Sequence, residues 1–286
     1  MIYYGMLAGA SFMFGTQFLF TQIFRKNFRG NSMEATAVSG FGGAVFGLLA
    51  MFLVNGFHLE YSHFALIMAA IQTFNGLLFT FCSMKSLGKI NLSLYSIFSM
   101  LGGMVLPFAV GILFFNEALT PGKCICILLI SLAFALTLKK GPKQSDSNGV
   151  IYYIGIFIFN GMSGVISKIY NAAPYERISA AGYSILVSLL SMAAYLIMLL
   201  YLRPKLQTLN AKSVWGILGS GILNRTANWI MLIALLHVSA SAQYPFITGG
   251  TMIVSTILSY FTANKPSKRE LLSVLIAMIG VIALIL

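Results

Sequence analysis

One apolar stretch of the sequence, residues 214–236, carries an arginine near its middle. Arg225 stands there beside Asn224, Asn228 and Trp229. A stretch of this length can cross a bilayer as one helix. A guanidinium near the bilayer centre costs at least ~2.5 kcal/mol, so it normally faces a helix bundle, a partner group or water. These residue types predict a binding site in which Arg225 pairs with an anionic ligand group, the asparagines form hydrogen bonds and the tryptophan offers a stacking surface.

The sequence supplies no acidic partner for this arginine inside an apolar stretch. The acidic residues all fall at the ends of apolar stretches or between them: Glu34, Glu60, Glu117, Asp146, Glu176 and Glu270. A carboxylate on a substrate would supply the missing partner of Arg225, whereas a purely cationic substrate would be repelled. A second interpretation stays open, in which the guanidinium reaches helix-end carbonyls or water and has a structural role.

The sequence lacks the motifs that catalysis would need. A membrane-embedded enzyme requires clustered metal ligands, a nucleophile beside its base, or an acidic pair. His58, His63 and His237 lie near the ends of apolar stretches, and there is no phosphate-binding glycine loop with Lys and Ser or Thr. We therefore predict a protein that is not an enzyme and that uses no metal or other cofactor.

The composition is that of a polytopic membrane protein. Hydrophobic residues make up 58% of the chain and charged residues only 8%, too few to cover a soluble domain. The formal net charge is +12, but the basic residues flank apolar stretches and form no aromatic-interleaved patch, so we predict no nucleic-acid partner. Cys82, Cys124 and Cys126 lie within apolar stretches and are interpreted as small buried side chains.

Hydropathy divides the chain into ten predicted spans. They cover residues 2–24, 34–54, 63–84, 91–115, 121–138, 150–172, 179–202, 213–236, 241–262 and 268–286. All should be helices, because in hydrocarbon every backbone polar group needs an internal partner and these runs lack the alternation of barrel strands. The first span has neither a preceding basic segment nor a cleavage site, so we interpret it as retained.

The two halves of the chain are internally related. Residues 1–138 and 150–286 each hold five spans, and the polar stretch 139–149 links them. At a constant offset of 149 residues, several positions carry the same residue: Ile2, Tyr3 and Tyr4 with Ile151, Tyr152 and Tyr153, Gly15 with Gly164, Asn75 with Asn224, and Tyr95 with Tyr244. Because five is odd, the second half must enter the membrane from the opposite side, which predicts two inverted repeats around a central cavity.

The chain resembles the drug/metabolite transporter superfamily and, within it, the ten-helix EamA-like transporters. The resemblance covers essentially the whole chain and includes the stretch ILFFNEALTPGK, in which Glu117 closes the fourth span. In the corresponding YFTANKPSKRE of the second half, Lys265 or Pro266 replaces the expected acid. The resemblance implies a basket of helices in which the first, third and fourth spans of each repeat line a central cavity.

Polar side chains on these lining spans form the predicted substrate site. They are Gln17, Gln72, Asn75, Tyr95, Asn160, Asn224, Arg225, Asn228, Trp229, Gln243 and Tyr244. A competing interpretation applies to each of them except Arg225, because polar side chains in membrane helices often bond a neighbouring helix for about 0.6 kcal/mol apiece. Tyr95 and Tyr244 are also predicted to close opposite sides of the cavity, unless they anchor the helices at the interface. Lys168, near a span end, is interpreted as reaching the membrane interface.

These features predict a secondary active transporter that carries a small polar or zwitterionic, carboxylate-bearing metabolite by alternating access. Two alternatives remain: an exporter of multiple drugs or other lipophilic compounds, and a non-transporting scaffold or sensor with the same fold. The predicted partners are the substrate and the lipid bilayer, with a coupling ion or an exchanged solute as a further candidate. The sequence leaves the substrate identity, the direction of transport and the oligomeric state open.

The basic residues predict the orientation in the membrane. Fourteen of them follow odd-numbered spans: Arg25, Lys26, Arg29, Lys85, Lys89, Lys139, Lys140, Lys143, Arg203, Lys205, Lys212, Lys265, Lys268 and Arg269. The other side has Lys123, Lys168 and Arg177. Because basic loops stay cytoplasmic, we predict a bacterial cytoplasmic membrane protein with the 139–149 linker inside and both termini outside. The resemblance favours the opposite, because such transporters are commonly described with cytoplasmic termini.

Overall fold

The computed structural model describes residues 2–87, 92–137, 147–204, 209–259 and 268–285, and these form ten α-helices. In chain order the helices are α1 (Ile2–Asn27), α2 (Ser32–Val54), α3 (His63–Leu87), α4 (Leu92–Phe115), α5 (Pro121–Thr137), α6 (Ser147–Ala172), α7 (Ala180–Leu202), α8 (Ala211–Ala234), α9 (Ala240–Ser259) and α10 (Lys268–Ile285). The described residues contain no strand. The prediction of an all-helical chain with ten helices is therefore confirmed.

Local capping residues set several of the helix ends. The Asn31 side chain accepts a bond from the Glu34 amide while the Glu34 carboxylate accepts one from the Asn31 amide, a capping box that starts α2. Ser179 caps α7 and Asn210 caps α8 in the same way, through side-chain oxygens. Asn116 follows α4 with a φ of 50°, a left-handed conformation that ends the helix.

Four helical segments in the described part of the chain are long and apolar enough to cross a membrane. They are Ile2–Asn27, Ser32–Val54, His63–Ser83 and Ala180–Leu202. Large apolar side chains also face outward, including Ile197 at 70% exposure and Leu113 at 73%. Exposed apolar surface of this kind is costly in water and favourable in lipid. The fold is therefore of the helical membrane-protein type.

Eight of the helices pack side by side in a closed order. Following the contacts from neighbour to neighbour gives α1, α8, α2, α7, α3, α6, α4 and α9, and α9 returns to α1. The other two, α5 and α10, pack against each other and lie beside α4 and α9. Helices of the first half therefore alternate one by one with helices of the second half around the ring.

Contacts between helices of the two halves occur in equivalent pairs, in which each helix is replaced by the one five positions away in chain order. The pair α1 and α8 corresponds to α6 and α3, and the pair α1 and α9 corresponds to α6 and α4. The match extends to residues: a side chain on Gly103 would meet Asn160, and one on Gly250 would meet Ser11. Asn160 and Ser11 are 149 residues apart, the offset found in the sequence.

The loops that follow even-numbered helices gather at one end of the bundle, which we call the carboxylate end. They are residues 55–62, 116–120, 173–179 and 235–239, joined by bonds such as Ser62 Oγ to the Glu176 carbonyl at 3.0 Å. The opposite end, where odd-numbered helices finish, we call the basic end. There the Asn210 side chain donates to the Asn27 carbonyl at 3.4 Å. Most of the 139–149 linker lies outside the described residues.

Candidate functional site

Arg225 extends from α8 towards α2, α7 and α3. Its stem passes over Gly47 of α2, where the missing side chain leaves room for the Arg225 Cγ atom. Its guanidinium Nη2 donates to the Ser191 hydroxyl of α7 at 3.3 Å, and that hydroxyl lies 3.5 Å from the Thr73 hydroxyl of α3. Side chains of α2, α7 and α3 thus lie around the partly buried Arg225 side chain of α8.

Two tyrosines of α7 complete the surroundings of this guanidinium. Tyr183 and Tyr195 lie near Arg225. The Tyr195 hydroxyl donates to Thr80 of α3 at 3.0 Å, and the Tyr195 ring fills the space beside Gly40 of α2. Among the side chains that the structure describes, no carboxylate lies within ion-pair distance of Arg225. The guanidinium therefore has neutral partners and spare N–H donors.

The asparagines of α8 lie on the side of the helix that faces α1. Asn224 donates to the Gln17 side-chain oxygen at 3.1 Å. Asn228 donates to the Asn224 carbonyl at 2.8 Å, and its side chain is exposed. Asn224 faces α1, and Arg225 faces α2. On a helix with 3.6 residues per turn, Asn228 lies between these two directions. The structure thus brings Asn224, Asn228 and Gln17 together, with Arg225 on the adjacent stripe.

Trp229 follows Arg225 by four residues, so the two side chains lie on the same face of α8, one turn apart. The Trp229 side chain is partly buried. The stacking role predicted for Trp229 stays a prediction.

The predicted residues on the other helices mainly join neighbouring helices. Gln72 of α3 donates to Ser163 of α6 at 2.5 Å, and Asn75 donates to the Phe159 carbonyl of α6 at 2.8 Å. Asn160 of α6 donates to the Ser99 carbonyl of α4 at 2.5 Å. Each of these amides therefore has a structural task that is sufficient to explain it.

Gln243 and Tyr244 are buried near the start of α9. Gln243 donates to the Met231 carbonyl of α8 at 2.9 Å, and the Tyr244 hydroxyl donates to the Gly164 carbonyl of α6 at 3.0 Å. The Tyr244 ring is therefore directed at protein and not at lipid. The Tyr95 side chain lies outside the described residues, so the predicted pair of aromatic gates stays a prediction.

Three buried side-chain oxygens have no hydrogen-bond partner within the described part of the chain. They are Gln72 Oε1, Gln243 Oε1 and Thr251 Oγ1. A buried acceptor without a partner costs about 1–3 kcal/mol, so a bond from a water or a ligand donor would be favourable at each of them. Gln72 Oε1 lies on α3, the helix whose Thr73 approaches the Arg225 partner Ser191.

A glutamate that the sequence placed at a span end is the centre of a buried polar cluster. Glu117 accepts from the Lys168 ammonium of α6 at 2.6 Å and from the amides of Ala240 and Ser241 of α9 at 2.9 and 2.8 Å. The exposed fractions are 8% for the Glu117 side chain and 14% for Lys168. Burial alone would raise the pKa of the Glu117 carboxyl, but the bonds from Lys168, Ser241 and Ala240 hold it below its ordinary value.

Glu60 forms a second carboxylate cluster at the same end. Its oxygens accept from the Ser179 hydroxyl at 2.5 Å and from the Ser179 amide at 2.6 Å, and Asn55 adds a bond of 3.2 Å. The Ser179 hydroxyl bond, helped by the Ser179 amide, Asn55 and the charge of His58, lowers the pKa of the Glu60 carboxyl despite some burial. Glu60 therefore links the loop 55–62 to the first turn of α7.

These carboxylate contacts correct the interpretation of Lys168. The sequence indicated a side chain that reaches the membrane interface, whereas the structure pairs it with Glu117 and places it over the Phe115 ring. The signal that could have revealed the pair was the presence of one acid and one base at the same side of the membrane, at the ends of α4 and α6. Nothing in the sequence placed those two helices side by side.

Other features of the described residues do not form part of this site. No three histidine, cysteine, aspartate or glutamate side chains in the described ranges come close enough to hold a metal ion. A groove of about 770 Å³ lies at the carboxylate end between α5, α9 and α10, beside Lys123 and His237. None of the predicted site residues lines it.

Comparisons with known proteins extend to the fold and no further. No family model matches the chain, and no curated protein matches it. Solved structures do match, among them a crystal structure of a protein that is 15% identical in sequence. Its TM-score is 0.78, and the alignment covers 99% of this chain and 98% of the other. The whole arrangement of helices therefore exists in a solved protein.

Proposed function

We propose that the chain is a secondary active transporter of the drug/metabolite transporter superfamily, similar to the EamA-like members, with ten transmembrane helices. Its substrate is a small polar or zwitterionic metabolite that bears a carboxylate. The observation that carries this proposal is the partly buried Arg225 guanidinium in the middle of α8, which has neutral neighbours on α7 and no carboxylate within reach in the described residues. A cation inside a membrane helix without a counter-charge is costly, and an anionic substrate group reduces that cost.

The helix contacts support the two-repeat architecture that such transport uses. The matched contacts five helices apart are those expected of two inverted repeats, 1–138 and 150–286. Asn75 and Asn224, 149 residues apart, also bond the related helices α6 and α1. Alternating access follows when such repeats exchange conformations about a site between them.

The site residues suggest how the substrate is held. Arg225 binds the carboxylate through two guanidinium N–H groups, a geometry that Lys cannot reproduce. Asn228, which is exposed, and Asn224 provide amide donors and acceptors on the neighbouring stripe of α8. Gln72 Oε1, which has no hydrogen-bond partner among the described residues, accepts from an ammonium or hydroxyl group of the substrate.

Two other functions are less well supported. Export of lipophilic cations would bring a positive charge towards Arg225 without an embedded carboxylate to attract it. A scaffold or sensor with this fold would bind a ligand and never carry it across the membrane. Only the second alternative predicts saturable binding without exchange.

Counterflow in proteoliposomes tests the proposal. Amino acids, small carboxylates and lipophilic cations are first screened for their ability to raise the melting temperature of the purified protein. The compounds that do so are loaded into proteoliposomes, and uptake of the same labelled compound is measured. We expect saturable exchange of a carboxylate-bearing compound. Binding without exchange would support the scaffold, and exchange of lipophilic cations alone would support the exporter.

The proposed location is the bacterial cytoplasmic membrane, with the carboxylate end and both termini outside. The excess of basic residues at the opposite end supports this orientation. A cysteine placed in the 139–149 linker tests it in intact cells. It should be protected from a membrane-impermeant reagent, and rapid labelling there would reverse the assignment.

A further inference from the structure

Two carboxylates of the first half of the chain bind the starts of two helices of the second half. Glu60 accepts from the backbone amide and the hydroxyl of Ser179, the residue that caps α7. Glu117 accepts from the amides of Ala240 and Ser241, the first residues of α9. Helix N-termini carry partial positive charge and unpaired N–H groups, so both contacts are favourable.

The two contacts lie on different sides of the helix ring but at the same end of it. Glu60 joins the loop after α2 to α7, and Glu117 joins the loop after α4 to α9, so each contact closes one of the ring pairs α2 with α7 and α4 with α9. Lys168 adds an ion pair that joins α6 to the same Glu117 carboxylate. Opening the ring at the carboxylate end requires these charged contacts to separate.

The basic end has no matching carboxylate where the structure describes it. The position 149 residues after Glu60 is Leu209, which packs against the apolar cluster of Phe24, Phe28, Ala35 and Ile217. The start of α2 there is capped by its own Asn31 and Glu34. The position 149 residues after Glu117 is Pro266, outside the described residues.

We propose that Glu60 and Glu117 form a paired latch that holds the carboxylate end shut, so that opening at this end requires disengagement of a carboxylate from a helix start. The use of this latch in a transport cycle rests on the proposed function, whereas the closure itself does not. The latch biases the protein towards the state that is closed at the carboxylate end, because the described residues of the other end are held by apolar packing, by local caps and by the uncharged bond from Asn210 to Asn27.

The latch is tested by distances between pairs of spin labels, measured by electron paramagnetic resonance on purified protein in nanodiscs. Cys82, Cys124 and Cys126 are first replaced by alanine. One label pair, at Leu119 and Leu236, spans the Glu117 contact, and a second, at Leu59 and Tyr175, spans the Glu60 contact; these four positions are at least 54% exposed. A third pair, at Lys26 and Lys212, reports the basic end.

Three substitutions disturb the latch, and one serves as a matched control. Glu117→Gln and Lys168→Met should raise the ratio of long to short distances for the first label pair about tenfold, and Glu60→Gln should do so for the second. Glu176→Gln removes an exposed acid from the same end and should leave both pairs unchanged. Size-exclusion chromatography confirms that each variant is folded.

A charge exchange separates the latch from a simple ion pair. Glu117→Lys combined with Lys168→Glu keeps the two opposite charges but places a cation at the start of α9. The latch predicts that the first label pair stays in its long-distance state, because a helix N-terminus repels a cation. Short distances in all latch variants would overturn the proposal, as would equal lengthening at the basic end. Because no substrate enters the measurement, failure of the transport proposal leaves this result interpretable.

Discussion

Replacement of Gly47 by alanine tests the position of Arg225 without altering the arginine. A Cβ atom at Gly47 would overlap the Arg225 Cγ atom and come within 3.1 Å of its Cβ atom. The Arg225 Cβ is fixed by the backbone of α8, so a change of rotamer cannot relieve the whole overlap. Gly43 lies one turn earlier on α2, and a Cβ there would meet the Gly221 Cα at an ordinary 3.7 Å. Gly43→Ala is therefore the matched control.

The expected magnitudes follow from packing and from helix propensity. Both substitutions gain roughly 0.5–1 kcal/mol, because glycine is a poor helix former. Overpacking costs about 1–3 kcal/mol, and only Gly47→Ala incurs it in full. We expect Gly47→Ala to be less stable than Gly43→Ala by about 1–3 kcal/mol.

Unfolding in mixed micelles, followed by circular dichroism, measures this difference. A double-mutant cycle with Arg225→Ala adds a specific check, because removal of the arginine stem should restore the stability lost through Gly47→Ala. Equal stabilities of the two alanine variants, or a cycle without coupling, would show that the Arg225 stem does not cross α2 at Gly47.

Two further predictions concern the site and the carboxylate end. Asn228→Ala should weaken binding of the transported compound about 2- to 10-fold, the value of one hydrogen bond, and an unchanged affinity in a binding titration would remove Asn228 from the site. The carboxyl groups of Glu60 and Glu117 each have a lower pKa in the folded protein than in the unfolded chain. Their contribution to the free energy of unfolding is therefore complete above the unfolded pKa, and it is lost as the pH falls through the folded pKa. Melting temperatures measured from pH 7 to pH 3 should therefore decline less when both are replaced by glutamine, and parallel curves would refute the linkage.

Much of the helical architecture could be predicted from hydropathy, because the predicted segments are set by composition over twenty or so residues. The second span was predicted at 34–54, and α2 runs from Ser32 to Val54. The fourth was predicted at 91–115, and α4 ends at Phe115, where Asn116 turns left-handed. The repeat offset matched Asn75 with Asn224, and the structure shows that these two side chains bond the related helices α6 and α1.

The orientation of individual side chains could not be predicted in the same way. A spacing of three or four places residues on one helix face but does not say which neighbour that face meets. Asn224 and Arg225 are adjacent in sequence, yet the first bonds Gln17 of α1 and the second bonds Ser191 of α7. The partner of Lys168 is 51 residues away in sequence, and only the packing of α4 against α6 brings it close.

The most direct test of the account is substrate counterflow by Arg225 variants in proteoliposomes. Inhibition constants are measured for a carboxylate-bearing compound and for its uncharged amide analogue, with Lys212→Gln as a control for loss of an exposed positive charge on the same helix. We expect Arg225→Gln and Arg225→Lys to weaken the carboxylate about 10- to 100-fold, the value of a charged hydrogen-bonded pair, and to leave the weaker affinity for the amide unchanged. Unchanged affinity for the carboxylate in folded Arg225 variants would contradict the proposed binding site.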